Sequence, residues 1–253
     1  MFRSVPRGAA IIAGAFAVAT NGQGSSTTTI FEVHAGTGAC DLKGAWLGSV
    51  DCPAVSRNGQ ALDNWENAAF TTMRISWIKR GVEVQYLVLQ KSASAETALD
   101  QSLLLESSWT DLTAWLPAAD FGLQGALPSR QFIAMKSYAG CAGDLYWAIA
   151  IADFGVCSYE AVASSDLPLL LYSPPATAVV ANSMGRADSM RISVGGTLLG
   201  DINLDGTVNA SDLGLLTAAW GSDDLAADLD GDREVGGADL AYVLSNWGAK
   251  WSP

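Results

Sequence analysis

The chain has 253 residues, of which 49% are hydrophobic and 16% are charged, and this composition excludes wholesale disorder. Fourteen Lys and Arg residues stand against 26 Asp and Glu residues, so the formal net charge is -12. That sign argues against nucleic acid as a partner, because such proteins neutralise phosphates with basic side chains. The single histidine, His34, excludes a metal site or a mechanism that needs two imidazoles from this chain.

The N-terminal segment has the pattern of a secretory signal. Arg3 and Arg7 precede an uncharged run over residues 8–19, which ends in the small residues Ala-Val-Ala. The alternative is a membrane anchor, but a run of about 12 residues is shorter than the ~20 that span a bilayer. We therefore predict that residues 1–19 are a cleaved signal peptide. The mature protein is then secreted, extracellular or at the cell surface, with no membrane span.

The four cysteines, Cys40, Cys52, Cys141 and Cys157, allow three disulfide connectivities. Paired cystines are the default in an oxidising compartment. Of the three connectivities we favour the sequence-local one, Cys40–Cys52 with Cys141–Cys157. None of the spacings is C-x-x-C, which argues against a zinc site or a thioredoxin-like motif.

Residues 20–198 predict a β-rich domain of unknown function. Met73–Ile78 and Val82–Leu89 alternate at period two around Lys79-Arg80-Gly81, which indicates a β-hairpin. Further strands are predicted at Thr28–His34, Gln131–Tyr138, Asp144–Asp153, Thr177–Ala181 and Met190–Val194. The segment Trp109–Trp115 fits either a strand or a helical turn. The expected architecture is a mainly antiparallel β-sandwich.

Residues 199–253 have a different pattern, an internal duplication. Two copies, Asp201–Asp212 and Asp228–Asp239, are offset by 27 residues. Each copy has oxygen-bearing side chains at loop positions 1, 3, 5 and 12, and each is followed by an apolar helix that ends in Trp-Gly. Val208 and Val235 at position 8 predict a short strand bridge between the two loops.

These offsets suit calcium, which a 12-residue loop surrounds with carboxylates, amides and one backbone carbonyl at position 7. The first loop offers the side chains of Asp201, Asn203, Asp205, Asp212 and Asn209 and the carbonyl of Thr207. The second offers the side chains of Asp228, Asp230, Asp232 and Asp239 and the carbonyl of Glu234. An acidic tail that served only solubility would not repeat these loop offsets together with an apolar helix face. We therefore expect two Ca²⁺ sites.

The second loop departs from the pattern at two positions. Gly236 at position 9 has no side chain, so a water must take that place. Arg233 stands at position 6, where the sharp turn favours glycine, and a non-glycine residue at positive φ costs about 1–2 kcal/mol. We therefore predict that the second loop is the more strained of the two.

The duplicated unit differs from an EF-hand, because no helix is predicted before either loop. Only residues 221–227 separate the first helix from the second loop. Over residues 200–248 this loop–helix repeat resembles a dockerin, type I-like, which would form a small all-α module. The resemblance implies that the module binds two Ca²⁺ and docks onto a cohesin domain of a scaffold or the cell surface. It also implies that loop positions 10 and 11 contact the partner; these are Ala210, Ser211, Gly237 and Ala238.

The tryptophans of the β-rich domain include candidates for stacking on a sugar ring. These are Trp46, Trp65, Trp77, Trp109, Trp115 and Trp147. We expect most of them to pack in the core. Trp65 lies in the polar stretch Asn58–Glu66, so we expect it to be the exposed one.

Catalytic candidates are few in the sequence. A glycosidase needs a pair of carboxylates, for which Asp63 with Glu66, or Asp51 with Glu66, are available. Surface acids are common, which favours a merely solvated role for them, and no G-x-S-x-G motif accompanies His34. The favoured hypothesis is a non-catalytic β-domain that the dockerin-like module attaches to an assembly for polysaccharide breakdown or binding. The alternative is a small secreted glycoside hydrolase, or another polysaccharide-acting enzyme, that carries a dockerin.

Overall fold

The structure is a computed structural model, and it describes residues 26–250. The signal peptide predicted over residues 1–19 lies outside the described residues. Within residues 26–250, no helix combines the length and the apolar character that crossing a bilayer requires.

The described chain is mainly β. Its strands are β1 Ser26–His34, β2 Val55–Arg57, β3 Thr72–Lys79, β4 Val82–Gln90, β5 Leu104–Ser107, β6 Asp120–Gln124, β7 Arg130–Ser137, β8 Leu145–Ile151, β9 Leu169–Tyr172, β10 Val179–Val180, β11 Gly185–Ala187 and β12 Ser189–Thr197. Its α-helices are α1 Leu42–Trp46, α2 Gly59–Asp63, α3 Leu112–Trp115, α4 Ala210–Ala218 and α5 Gly237–Ser245.

The strands form two antiparallel sheets. The order in the first is β2-β1-β12-β3-β4-β5, and the order in the second is β11-β9-β8-β7-β6, with β10 beside β8. The predicted hairpin is confirmed as β3–β4, in which Lys79 pairs with Val82. Arg80 and Gly81 have φ of 52° and 74°, which is the backbone that a two-residue turn between twisted strands requires. Trp109–Trp115 contains a helical turn, α3, and no strand.

The two sheets bury their apolar faces against each other. Phe31 of the first sheet stacks on Phe132 of the second, with ring centroids 5.7 Å apart, and Trp46 packs edge-on against Phe31 at 5.2 Å. One buried apolar cluster includes residues of both sheets. Trp46 extends this aromatic core from α1, whose first turn is capped by the side chain of Asp41.

The expectation that Trp65 is exposed is wrong. Its side chain is only 3% exposed, packs against Trp46 and Phe70, and donates its indole N–H to the carbonyl of Ser92 at 2.9 Å. The polar neighbours of Trp65 in sequence face outward from the turn after α2, while the ring faces inward. Trp115, at 43% exposed, is instead the most accessible of the six candidate tryptophans.

Both predicted disulfides are present: Cys40 is joined to Cys52, and Cys141 to Cys157. The first links the segment before α1 to the segment before β2, and the second links the β7–β8 connection to the segment after β8. Each bridge therefore fastens a stretch of irregular backbone to the sheets.

A buried cluster of ionised side chains lies beside the second disulfide. Arg130 on β7 forms ion pairs with Asp144 at 3.1 Å and Glu160 at 2.6 Å, and all three side chains are almost fully buried. Arg130 also donates to the Tyr146 hydroxyl at 2.9 Å, and Glu160 accepts from the backbone N–H of Cys157 at 2.9 Å. These contacts attach the segment after β8 to the outer face of the second sheet.

Replacing Arg130 with Ala should lower the free energy of unfolding by about 3–5 kcal/mol, because two buried carboxylates would lose their cation. Urea denaturation of the full-length chain measures the change. The matched control is Arg186→Ala on β11, whose side chain is exposed, with an expected change within about 0.5 kcal/mol. Equal effects of the two substitutions would contradict the role assigned to this cluster.

Candidate metal centre

The two sequence repeats fold as two loop–helix units. Helix α4 begins at Ala210 and α5 begins at Gly237, which are both position 10 of their loops. The carboxylate at position 12 accepts a hydrogen bond from the backbone N–H at position 9 in each unit. The distances are 2.8 Å from Asn209 to Asp212 and 2.7 Å from Gly236 to Asp239. Position 12 thus caps its helix in both copies.

The same carboxylates reach back to the start of their loops. The second oxygen of Asp212 accepts from the backbone N–H of Ile202 at 2.8 Å, and that of Asp239 accepts from Leu229 at 2.7 Å. Asp212 is 0% exposed and Asp239 is 1% exposed. Position 12 therefore ties the first residues of each loop to the first turn of the following helix.

The carboxylate at position 1 is wrapped by the backbone of its own loop. Asp201 accepts from the N–H groups of Asp205 at 3.0 Å and Gly206 at 2.8 Å. Asp228 accepts from Gly231 at 2.8 Å and Arg233 at 2.9 Å. These N–H groups hold the carboxylate in one orientation, toward the centre of the loop.

Positions 3 and 5 form short turns that repeat between the copies. The side chain at position 3 accepts a hydrogen bond from the backbone N–H at position 5. The distance is 3.0 Å for Asn203 in the first loop and 3.1 Å for Asp230 in the second. The side chain at position 5 accepts in the same way from the backbone N–H at position 7. The distance is 2.9 Å for Asp205 in the first loop and 2.8 Å for Asp232 in the second. Such turns are a common use of Asp and Asn, and here they point successive side chains to the same side.

The second loop brings three carboxylates together. One oxygen from each of Asp228, Asp230 and Asp232 lies within 4.8 Å of the others. Two oxygens that contact one cation at about 2.3–2.6 Å are less than about 5 Å apart, so each pair of these carboxylates has a spacing that a shared cation allows. In the first loop the Asn203 side-chain amide donates to Asp205 at 3.0 Å, which brings positions 3 and 5 into contact.

Positions 7 and 9 lie at the other end of the loop. The side-chain amide of Asn209 donates to the carbonyl of Thr207 at 3.0 Å, while its oxygen accepts from the N–H of Ser211 at 2.8 Å. The corresponding Glu234 has an exposed side chain, and Gly236 offers none. The donor set is made of oxygen atoms, which suit hard cations such as Ca²⁺ and Mg²⁺.

The concentration of negative charge affects the pKa values of these acids. Burial raises the pKa of Asp201 to about 6; the charges of Asp212 and Asp205 add to the rise, and the N–H groups that Asp201 accepts oppose it. The backbone N–H of Asp232 lowers the pKa of Asp230, but partial desolvation and the three neighbouring carboxylates outweigh that hydrogen bond and raise it. Both carboxylates are therefore in surroundings where a bound cation would be favourable.

Backbone strain lies at different positions in the two loops. Position 6 has a φ of 86° at Gly206 and 73° at Arg233, so Arg233 adopts the conformation that is expected to cost energy. Position 4 also has positive φ, 56° at Leu204 and 78° at Gly231. Each loop thus holds one non-glycine residue in the left-handed region, so the prediction that the second loop is the more strained of the two is not borne out.

The expected bridge between Val208 and Val235 is wrong. Val208 exchanges hydrogen bonds with the backbone after α5, and Val235 does so with the backbone after α4. The N–H of Gly248 donates to the Val208 carbonyl at 2.8 Å, and the N–H of Gly221 donates to the Val235 carbonyl at 2.9 Å. Each loop is therefore fastened to the end of the other unit, and both valines are buried in a cluster with Leu216 and Val243.

The residues assigned to partner contact are accessible. Ala210, Ser211, Gly237 and Ala238 are all exposed at the starts of α4 and α5. Trp220 and Trp247, which follow the two helices, are about half exposed. The structure leaves apolar and small side chains of both units open to solvent.

The catalytic candidates remain surface residues. Asp63 forms an ion pair with Arg57, and Asp51 and Glu66 are exposed. His34, at the end of β1, is partly buried and lines a polar cleft between the β-rich domain and the second loop. Nothing in this placement joins these four residues into one centre.

Sequence reasoning missed two features. The Arg130 cluster joins residues that are 14 and 30 positions apart, and no local pattern marks them. In the calcium-loop pattern, position 4 is only a spacer between ligands, yet the residue at this position, Leu204, is fully buried. The sequence did contain a signal for Leu204. The equivalent residue of the other copy is glycine, and a large apolar side chain does not stabilise the turn, so a leucine at this position indicates a packing contact.

Compared with known proteins, the chain matches no family model, no curated protein and no solved structure.

Replacing Arg233 with Gly should stabilise the second loop by about 1–2 kcal/mol, because glycine adopts positive φ without the steric penalty. Amide hydrogen exchange over α5, measured in the full-length chain, should slow accordingly. The mirror-image control is Gly206→Ala at the same position of the first loop, which should speed exchange over α4. Faster exchange over α5 in the Arg233 variant would contradict the assignment of strain to that residue.

Proposed function

We propose that this protein is a secreted, calcium-binding docking protein, in which a dockerin-like module over residues 199–253 binds two Ca²⁺. The observation that supports this proposal most is the convergence of Asp228, Asp230 and Asp232 within 4.8 Å. The first loop repeats the hydrogen-bond pattern of the second at positions 3, 5 and 12. A cation bound among these oxygens would relieve the repulsion between their carboxylates.

The residues of each loop would have different roles in holding the ion. Positions 1, 3 and 5 would supply carboxylate oxygens, except that Asn203 at position 3 of the first loop would supply an amide oxygen. Asp212 or Asp239 at position 12 would connect the ion to the start of a helix. When bound, Ca²⁺ supplies the positive charge that neutralises the converging carboxylates. Since each loop is bonded to the end of the other unit, ordering one loop would also restrain the neighbouring helix.

The proposed role of the module is to dock the protein onto a cohesin-type scaffold or another cell-surface protein. Ala210, Ser211, Gly237 and Ala238 would form the contact, with Trp220 and Trp247 at its edge. Accessible tryptophans such as these are enriched in surfaces that bind proteins. Two disulfides accord with an oxidising, extracellular location.

The β-rich domain is the proposed cargo, a non-catalytic β-sandwich in an assembly for polysaccharide binding or breakdown. Trp115 is the side chain that best fits sugar stacking, because it is the most exposed of the six candidate tryptophans; the Lys136 ammonium lies over one face of its ring, 4.3 Å from the centroid. Lys136 is in turn held by Asp111 at 3.1 Å. The polar groups beside the ring would supply hydrogen bonds to sugar hydroxyls.

Calorimetric titration of the full-length chain with CaCl₂ should give two bound ions. The double substitution of Asp201 and Asp205 by Ala should leave one site, and so should the double substitution of Asp228 and Asp232, because each pair removes two ligands of one loop. Asp223→Asn, an exposed acid outside both loops, should leave both sites. A wild-type chain that binds no calcium, or loses both sites in the Asp223 variant, would refute the site assignment.

Substituting Ala210 and Gly237 by Arg should weaken binding to a cohesin domain about tenfold or more, because two large charges would project from the proposed contact. Surface binding measurements against a panel of purified cohesin domains in calcium give the affinity. Ser183→Arg, on the exposed surface of the β-rich domain, is the control. Failure of every cohesin to bind the wild-type chain would refute this class of partner, while calorimetry would still report on calcium.

A further inference from the structure

The duplicated module is joined to the β-rich domain by a very short connection. Strand β12 ends at Thr197 and the first loop begins at Asp201. Within this connection the N–H of Asp201 donates to the carbonyl of Leu198 at 3.1 Å. Gly200, at φ of 97°, lies so close to α5 that a Cβ there would be 3.1 Å from the Cα of Val243. The connection is therefore short, and its last residues already pack against α5 of the module.

A second contact comes from the first loop itself. Leu204, at position 4, is 0% exposed and belongs to the apolar core cluster of the β-rich domain, whereas its neighbour Ile202 belongs to the separate core of the module. The Leu204 carbonyl also accepts a hydrogen bond from the N–H of Ala69 at 2.7 Å. The first loop thus contributes one side chain and one backbone group to the β-rich domain.

The second loop makes no equivalent insertion among the described residues. Gly231 stands at position 4, is exposed, and has open space where a Cβ would be. Parts of the second loop, including Asp228 and Asp230, line a polar cleft of about 350 Å³ whose other wall is formed by β1 and β12 residues such as Glu32. Two loops with matching hydrogen-bond patterns therefore differ in how they meet the rest of the protein.

We propose that the first loop is an intramolecular anchor, through which a divalent cation at the first site stabilises the adjoining part of the β-rich domain. The second site lacks this direct contact, so filling it should affect that domain much less. This inference rests on the proposed calcium binding and adds a division of roles between the two sites.

The position of Leu204 supplies the physical link. It lies between Asn203 and Asp205, which are both proposed ligands, and its own φ of 56° is unfavourable for leucine. Fixing the side chains on either side of Leu204 fixes this backbone and so presents the leucine and its carbonyl to Ala69. Any ligand that binds only the ordered loop then stabilises the contacts that the ordered loop makes.

Hydrogen exchange at the Ala69 amide, followed by NMR in the full-length chain, tests the anchor. In the wild-type chain, CaCl₂ should slow this exchange by about tenfold or more relative to EDTA. The double substitution of Asp201 and Asp205 by Ala should abolish the slowing. The matched double substitution of Asp228 and Asp232 by Ala should preserve it, because the first site remains intact.

Leu204→Gly separates anchoring from calcium binding, because it makes position 4 resemble the second loop. Calorimetry should still find two ions in this variant, while calcium should slow exchange at Ala69 much less, because only the backbone carbonyl of the anchor is left. Uptake of two ions by the wild type with no change at Ala69 would overturn the inference alone, as would equal slowing in Leu204→Gly. A wild-type chain that takes up no calcium would overturn the inference together with the proposed function.

Discussion

The arrangement of the C-terminal segment depends on one electrostatic constraint, the gathering of like-charged side chains inside a 12-residue turn. Backbone N–H groups hold these carboxylates in place, and Asp212 and Asp239 each accept hydrogen bonds from both ends of their loop. Hydrogen bonds orient the acids but do not remove their mutual repulsion, which adds to desolvation in raising the pKa of Asp201 and of Asp230. A divalent cation would neutralise these charges, and the proposed function depends on the binding of such a cation.

The constraint extends beyond the loops because the loops are part of a larger packing unit. Val208 and Val235 fasten each loop to the end of the opposite repeat, so neither repeat is complete without the other. Leu204 extends the first loop into the core of the β-rich domain. The first loop therefore contacts the helices of the module through Val208 and the sheets through Leu204.

The sequence predicted features whose determinants are local. The β3–β4 hairpin follows from alternation around Arg80-Gly81, and the strain at Arg233 follows from its place in the loop. The prediction for Trp65 was wrong because hydrophilic neighbours do not determine which way a ring faces; contacts with Trp46 and Phe70 do. Burial of this kind depends on long-range packing, which the local pattern around a residue does not contain.

Diffraction from crystals grown in calcium tests the central claim most directly, because anomalous scattering locates the ion itself. We expect two peaks, one in each loop, with oxygens of Asp201 and Asp228 among the atoms that lie about 2.3–2.6 Å from the calcium ions. Loops that hold only water at these positions in saturating calcium, with their carboxylates turned outward, would contradict it.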